Sequence, residues 1–203
     1  MRTVQIEVKV FEFSELSESA KNRAISNWVA TEPEHNWSQG IDELFVYVLG
    51  EIGLTDVETS FNGFSAQGDG ASFNGKYKYR QIDNQKIEKL FDDFKRQKEK
   101  LRVLDAVSTI NTIQAKYGNS ISAEILNKGA YCNSGYMQID VDNENIETEL
   151  KDDRSLLEAF RTIADQYYNI LYETYYDLVS DERAVKELSD KEFTETGKLL
   201  DFS

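Results

Sequence analysis

The stretch FNGFSAQGDGASFNG, residues 61–75, gathers four of the chain's 11 glycines around Asp69, between two copies of Phe-Asn-Gly. Gly68 and Gly70 would allow positive φ and close ligand approach, so QGDG could form a nest whose backbone N–H groups converge on a phosphate or carboxylate. Just beyond it, Asn74, Lys76, Lys78 and Arg80 recur at every second position. That spacing puts them on one face of a strand, where the three cations could meet the phosphates of a nucleotide. Asp69 itself would oppose an anion. The motif is no P-loop, because no Gly-Lys-Ser/Thr follows, and no dinucleotide fingerprint, because a strand follows where a helix is needed. Gly beside Asp is also what a tight turn requires on backbone grounds alone. Lysines on a strand face are ordinary in solvent and protect an edge from pairing. The loop is therefore expected to build structure first. Gly70→Val should destabilise it, since a β-branched residue tolerates positive φ badly.

The rest of the chemical inventory is thin. One histidine, His35, and one cysteine, Cys132, exclude a disulfide framework and a Cys/His zinc site. DVDNENIETELKD, from Asp140, begins like a calcium loop but lacks the turn glycine and has Lys151 where a bidentate Glu belongs. Nothing in the spacing pairs Asp69 with Glu58, and His35 has no local serine or cysteine context. No catalytic residue, metal or cofactor is expected. Tyrosines are plentiful instead: Tyr167, Tyr168, Tyr172, Tyr175 and Tyr176 fall within ten residues. A helix there must bury some and expose others, and tyrosine is a favoured anchor at protein interfaces. Tyr168, Tyr172, Tyr175 and Tyr176 are the candidate partner-binding residues; Gly68, Asp69, Gly70, Lys76, Lys78 and Arg80 are the candidate anion or nucleotide site.

Net charge is −14 but unevenly spread, since residues 76–102 hold ten Lys/Arg against five acids. Such a chain repels bulk nucleic acid, and direct nucleic-acid binding is not expected. The basic run reads first as a solvated helix face. With 40% hydrophobic residues and no apolar run long enough for a membrane span or a signal core, the chain reads as soluble and intracellular. A length of 203 residues suits one domain, 1–203.

The elements follow from periodicity. TVQIEVKVFEF alternates, with Val4, Ile6, Val8 and Val10 on one face of a first strand. SELSESAKNRAISNWVA is helical, with Ser17 as N-cap, and IDELFVYVLGEIG is a helix with a broad apolar face. Two aromatic-bearing strands flank the glycines as a hairpin. The helix around 84–117, with Ile87, Leu90, Phe91, Phe94, Leu101 and Leu104 as its stripe, could project, and its polar KRQKEK run suggests a break. ISAEIL and GYMQIDVD are short strands. SLLEAFRTIADQYYNILYETYYDLVS is a long amphipathic helix, followed by a short helix and a turn. Grouped rather than alternating elements indicate an α+β fold, with a mainly antiparallel sheet of about four to five strands packed by several helices.

FEFSELSESAKNRAISNW, SFNGFSAQGDGASFNGKY and LYETYYDLVSDERAVKELSDKEFTETG, in that order, span nearly the whole chain. On these segments the sequence resembles a family of uncharacterised proteins of tailed bacteriophages and prophages, sometimes labelled antitoxin-like. Relatives often carry a histidine in the segment matching YCNSGYMQID, where this chain has Cys132 or Asn133. A metal or catalytic role tied to that histidine is not implied here. The resemblance implies phage origin and a place of action in the cytoplasm of the infected bacterium. The expected function is non-enzymatic: an inhibitor that binds a host protein, a component of antiviral defence above all. The alternatives are a nucleotide binder or sponge using the Gly-rich loop and basic strand, and an acidic DNA mimic, which the basic segment suits poorly.

Overall fold

The computed structural model describes residues 9–31, 33, 36–92, 97–142 and 150–200. Val4, Ile6, Val8, His35, Phe94 and most of the calcium-like stretch lie outside the described residues. The chain forms two compact units, Ser38–Tyr172 and Met1–Trp37 with Glu173–Ser203. The fold is α+β.

The larger unit is built on four strands, β2 (Leu54–Asn62), β3 (Gly70–Lys78), β4 (Ser122–Asn127) and β5 (Met137–Val141), paired antiparallel in chain order. Helix α2 (Gln39–Glu51) buries Ile41, Leu44, Phe45, Val48 and Leu49, the face read from sequence, and packs against β2. The expected hairpin is β2–β3, paired from Leu54 with Tyr77 to Asn62 with Gly70. Helices α3 (Asn84–Leu90) and α4 (Gln97–Tyr117) replace one continuous helix. Most of the KRQKEK run, residues 97–100, lies inside α4. Two expectations are corrected by burial. Leu101 is 59% exposed and does not belong to the apolar stripe. Nor does the 84–117 segment project, because Ile87, Phe91, Val103, Val107 and Ile110 are buried.

Helix α5 (Leu150–Leu178) begins five residues before the predicted Ser155. Leu156, Phe160, Ile163, Tyr167, Ile170 and Leu171 recur at helical spacing and are all buried. Phe160 meets Phe73 and Tyr77 of β3 edge-on, at 6.1 and 5.4 Å between ring centroids. The far face of the sheet is charged: Lys76 of β3 lies opposite Glu124 of β4, which lies opposite Asp140 of β5.

Two buried phenols stay protonated in this core. Tyr77 accepts a hydrogen bond from Gln114 Nε2 at 2.8 Å, yet burial pushes its pKa up to about 12. Tyr167 donates to the Asp42 carboxylate; burial first and that carboxylate second push its pKa upward too. A pKa raised in the fold contributes stability that is complete below the ordinary tyrosine value and lost as pH rises through the folded value. The urea midpoint should therefore fall between about pH 10 and pH 12, with Tyr77 accounting for on the order of 2 kcal/mol. Tyr77→Phe should flatten part of that fall. A midpoint constant to pH 12 in the wild type would contradict the assignment.

In the smaller unit, β1 (Phe11–Glu12) pairs antiparallel with β6 (Glu192–Phe193). Helix α1 (Glu18–Val29) packs on α6 (Asp181–Leu188) through Ala20, Ala24, Ala184 and Leu188, with Phe13, Leu16 and Phe193 closing the cluster. Ser17 caps α1 as expected, its Oγ accepting from Ala20 N at 3.3 Å. Val10, placed on the buried face by alternation, is 43% exposed; Phe13 is buried in its stead. The chain turns into a 3₁₀ segment at Phe13–Glu15, which ends the alternation. Among the described residues no helix is long and apolar enough to cross a membrane.

Candidate functional site

The Gly-rich segment joins β2 to β3, and its conformation is set by Asp69. Asp69 Oδ2 accepts from the backbone N–H groups of Ser65 and Ala66 at 2.7 and 2.6 Å. Charge-assisted bonds of this kind are among the strongest available to a loop. These amides precede the QGDG run; within it, the Asp69 N–H donates to Ala66 O at 3.1 Å, so the segment closes as a turn on its own carboxylate.

The glycines follow from that closure. Gly63 has φ 45° and Gly68 φ 100°, a region that L side chains rarely adopt. A Cβ on Gly63 would also fall 2.7 Å from both Asp69 carboxylate oxygens. Gly70 has no positive φ, so its sensitivity to a larger side chain comes from packing and not from backbone conformation. It is buried, and a Cβ there would lie 2.3 Å from Asn133 Cβ and 2.6 Å from Asn133 Cα.

Asn133 belongs to the loop between β4 and β5, which closes over the Gly-rich loop. Its Nδ2 donates to Gly68 O at 3.2 Å and its Oδ1 accepts from Gly135 N at 3.1 Å. Asn127 acts similarly, with Nδ2 donating to Ser72 Oγ and Tyr131 O at 2.8 and 2.9 Å, and Oδ1 accepting from Gly129 N at 3.0 Å. The Tyr131 ring lies over Gly68. Sequence reading missed Asn127 and Tyr131 and gave Asn133 no part in the loop. The Asn-Lys-Gly and Asn-Ser-Gly runs were the available signal, since asparagine side chains bond the backbone two residues on.

An aromatic surface borders the loop. Phe61 and Phe64 stack at 6.1 Å, Phe64 meets Tyr168 at 5.7 Å, and Phe64 meets Tyr172 edge-on at 5.9 Å. Tyr168 Oη donates to Gly63 O at 3.2 Å, tying α5 to the loop. Tyr172 is 41% exposed. Of the four tyrosines singled out, Tyr168 and Tyr172 belong to this cluster. Tyr175 and Tyr176 belong to the other unit, where Tyr175 meets Trp37 at 5.8 Å and Tyr176 at 5.6 Å.

The basic strand lies elsewhere and is largely engaged. Lys76 pairs with Asp56 at 3.2 Å; Arg80 donates to Gly50 O at 2.9 Å and pairs with Glu51 at 3.2 Å. Lys86 shares Glu51 at 3.0 Å, and Lys100, also in the basic segment, sits between Glu88 and Asp92 at 3.1 and 3.2 Å. Lys78 is exposed. The structure brings Gly68, Asp69 and Gly70 together with Tyr168 and Tyr172, through Gly63 and Phe64.

This is an α+β chain whose most elaborated feature is a self-closed loop bordered by aromatic rings. Residues 37–181 match a domain of unknown function (DUF8835), and the chain belongs to that family. No curated protein and no solved structure matches it.

Proposed function

We propose that the chain is a phage-encoded binding protein that inhibits a bacterial host protein without catalysing a reaction, and that it docks through the Phe61–Phe64–Tyr168–Tyr172 surface. The observation that carries this reading is the mounting of those rings. Phe64 sits on a loop locked by Asp69, and Tyr168 on a helix bonded to the same loop. Rigid aromatic groups lose little entropy on binding, which is why they dominate interface energetics. Phage origin rests on the resemblance of three segments spanning nearly the whole chain, and points to host defence components as the target class. The nucleotide reading draws less support, because the Asp69 carboxylate, held by the Ser65 and Ala66 amides, opposes an anion at the loop, and the cations at Lys76 and Arg80 have carboxylate partners. The charged sheet face mixes both signs, which weighs against a DNA mimic.

The test is affinity purification from infected bacteria, with bound proteins and small molecules both identified. A host protein recovered with the wild type and lost with Phe64→Ala/Tyr172→Ala is expected. A nucleotide as the sole bound species would overturn the reading.

A further inference from the structure

Both of the chain's tryptophans and its one proline line a single cavity in the smaller unit. Its volume is about 570 Å3, and Trp28, Pro33, Trp37 and Leu178 supply its apolar surface. Cavities of about 300–1,000 Å3, mostly apolar with a few polar groups, are typical of small-ligand sites. Trp28 is held from behind by the core formed with Phe13, Ala24 and Leu188. Trp37 is braced by Tyr175 at 5.8 Å and 55°. The polar lining includes Asn36 and the Arg183–Glu187 pair of α6, 3.0 Å apart.

Charge narrows what could enter. The Arg183–Glu187 pair carries no net charge, so it offers an anion no free cation, and the chain's net charge of −14 opposes one. A cation would find the indole faces attractive, but the paired Glu187 offers it no net countercharge. A neutral planar ring meets neither penalty: it can stack on an indole while Arg183 donates to its edge, Glu187 accepts from it, and Asn36 does either. We propose that this cavity binds a nucleobase, presented as an uncharged nucleoside. The site is separate from the Gly-rich loop and independent of the docking surface proposed above.

The two tryptophans make the test direct, because all indole emission comes from the cavity lining. Adenosine, guanosine, cytidine and uridine are titrated against the full chain, with tetramethylammonium and inorganic phosphate as comparisons. Saturable quenching by at least one nucleoside is expected, and by neither ion. Trp28→Leu, read through Trp37, should weaken it on the order of tenfold, the size of a lost stacking partner. Arg183→Met/Glu187→Gln, at side chains each 36% exposed, should weaken it by a similar factor and decides the matter even where Trp28→Leu fails to fold. Absence of saturable quenching by all four nucleosides would overturn the proposal. So would quenching undiminished in the Arg183→Met/Glu187→Gln variant, or saturation by tetramethylammonium alone.

Discussion

Gly70→Val should cost the larger unit about 3 kcal/mol or more, the upper part of the range for overpacked sites. The added Cβ would overlap Asn133 at both Cβ and Cα, so the obstacle includes backbone and no rotamer change relieves it. Asn133 cannot yield cheaply, because its amide bonds Gly68 O on one side and Gly135 N on the other. Moving it opens the closure between two loops. Gly68→Ala should cost less in contacts, since its nearest neighbour is the Tyr131 ring, 46% exposed, although φ 100° adds backbone strain. Urea denaturation followed by circular dichroism checks the ordering, as both tryptophans lie in the other unit. An unchanged midpoint for Gly70→Val would mean that the two loops are not closed as described.

The second large effect is on binding. Phe64→Ala/Tyr172→Ala should weaken partner binding at least about tenfold, because a central aromatic anchor contributes on the order of 2 kcal/mol or more. Phe64 contacts Phe61, Tyr168 and Tyr172, so its removal loosens the whole cluster. Asp69 should be spared by the change, since its bonds run to Ser65 and Ala66 backbone. Under the proposed inhibitor role, a phage carrying the variant gene should plate less well than one carrying the wild type on a host whose defence the wild type blocks. Retained plating would place the docking surface elsewhere.

Local pattern was enough for the parts of the fold in which burial is periodic. Ile41, Leu44, Phe45, Val48 and Leu49 mark α2 by spacing alone, and Phe73 and Tyr77 mark the inner face of β3. Alternation misled at Val10, where a 3₁₀ turn at Phe13 ends the strand rule. The Gly-rich loop was ambiguous for a physical reason: the same glycines and aspartate serve an anion-binding nest or a turn fastened by its own carboxylate. What decides between them is where Asp69 points, which neighbours in sequence do not reveal. The partner loop was still less visible, because Asn133 bonds Gly68 across 65 residues. Tyr168, Tyr172, Tyr175 and Tyr176 read as one candidate surface apart from Tyr167, which is buried beside Phe45 and Asp42, yet only Tyr168 and Tyr172 reach the loop cluster.

The central claim is that binding runs through the aromatic surface and not through the basic strand. Calorimetric titration of the partner recovered from infected cells tests it most directly, against three proteins. These are the wild type, Phe64→Ala/Tyr172→Ala, and Lys76→Ala/Lys78→Ala/Arg80→Ala, each with its fold checked by circular dichroism. The basic-strand variant should bind as the wild type does, since Lys76 and Arg80 are engaged with Asp56 and Glu51. The aromatic variant should lose at least about tenfold in affinity. Loss in the basic-strand variant alone, with strong salt dependence, would contradict the account and assign the function to anion capture.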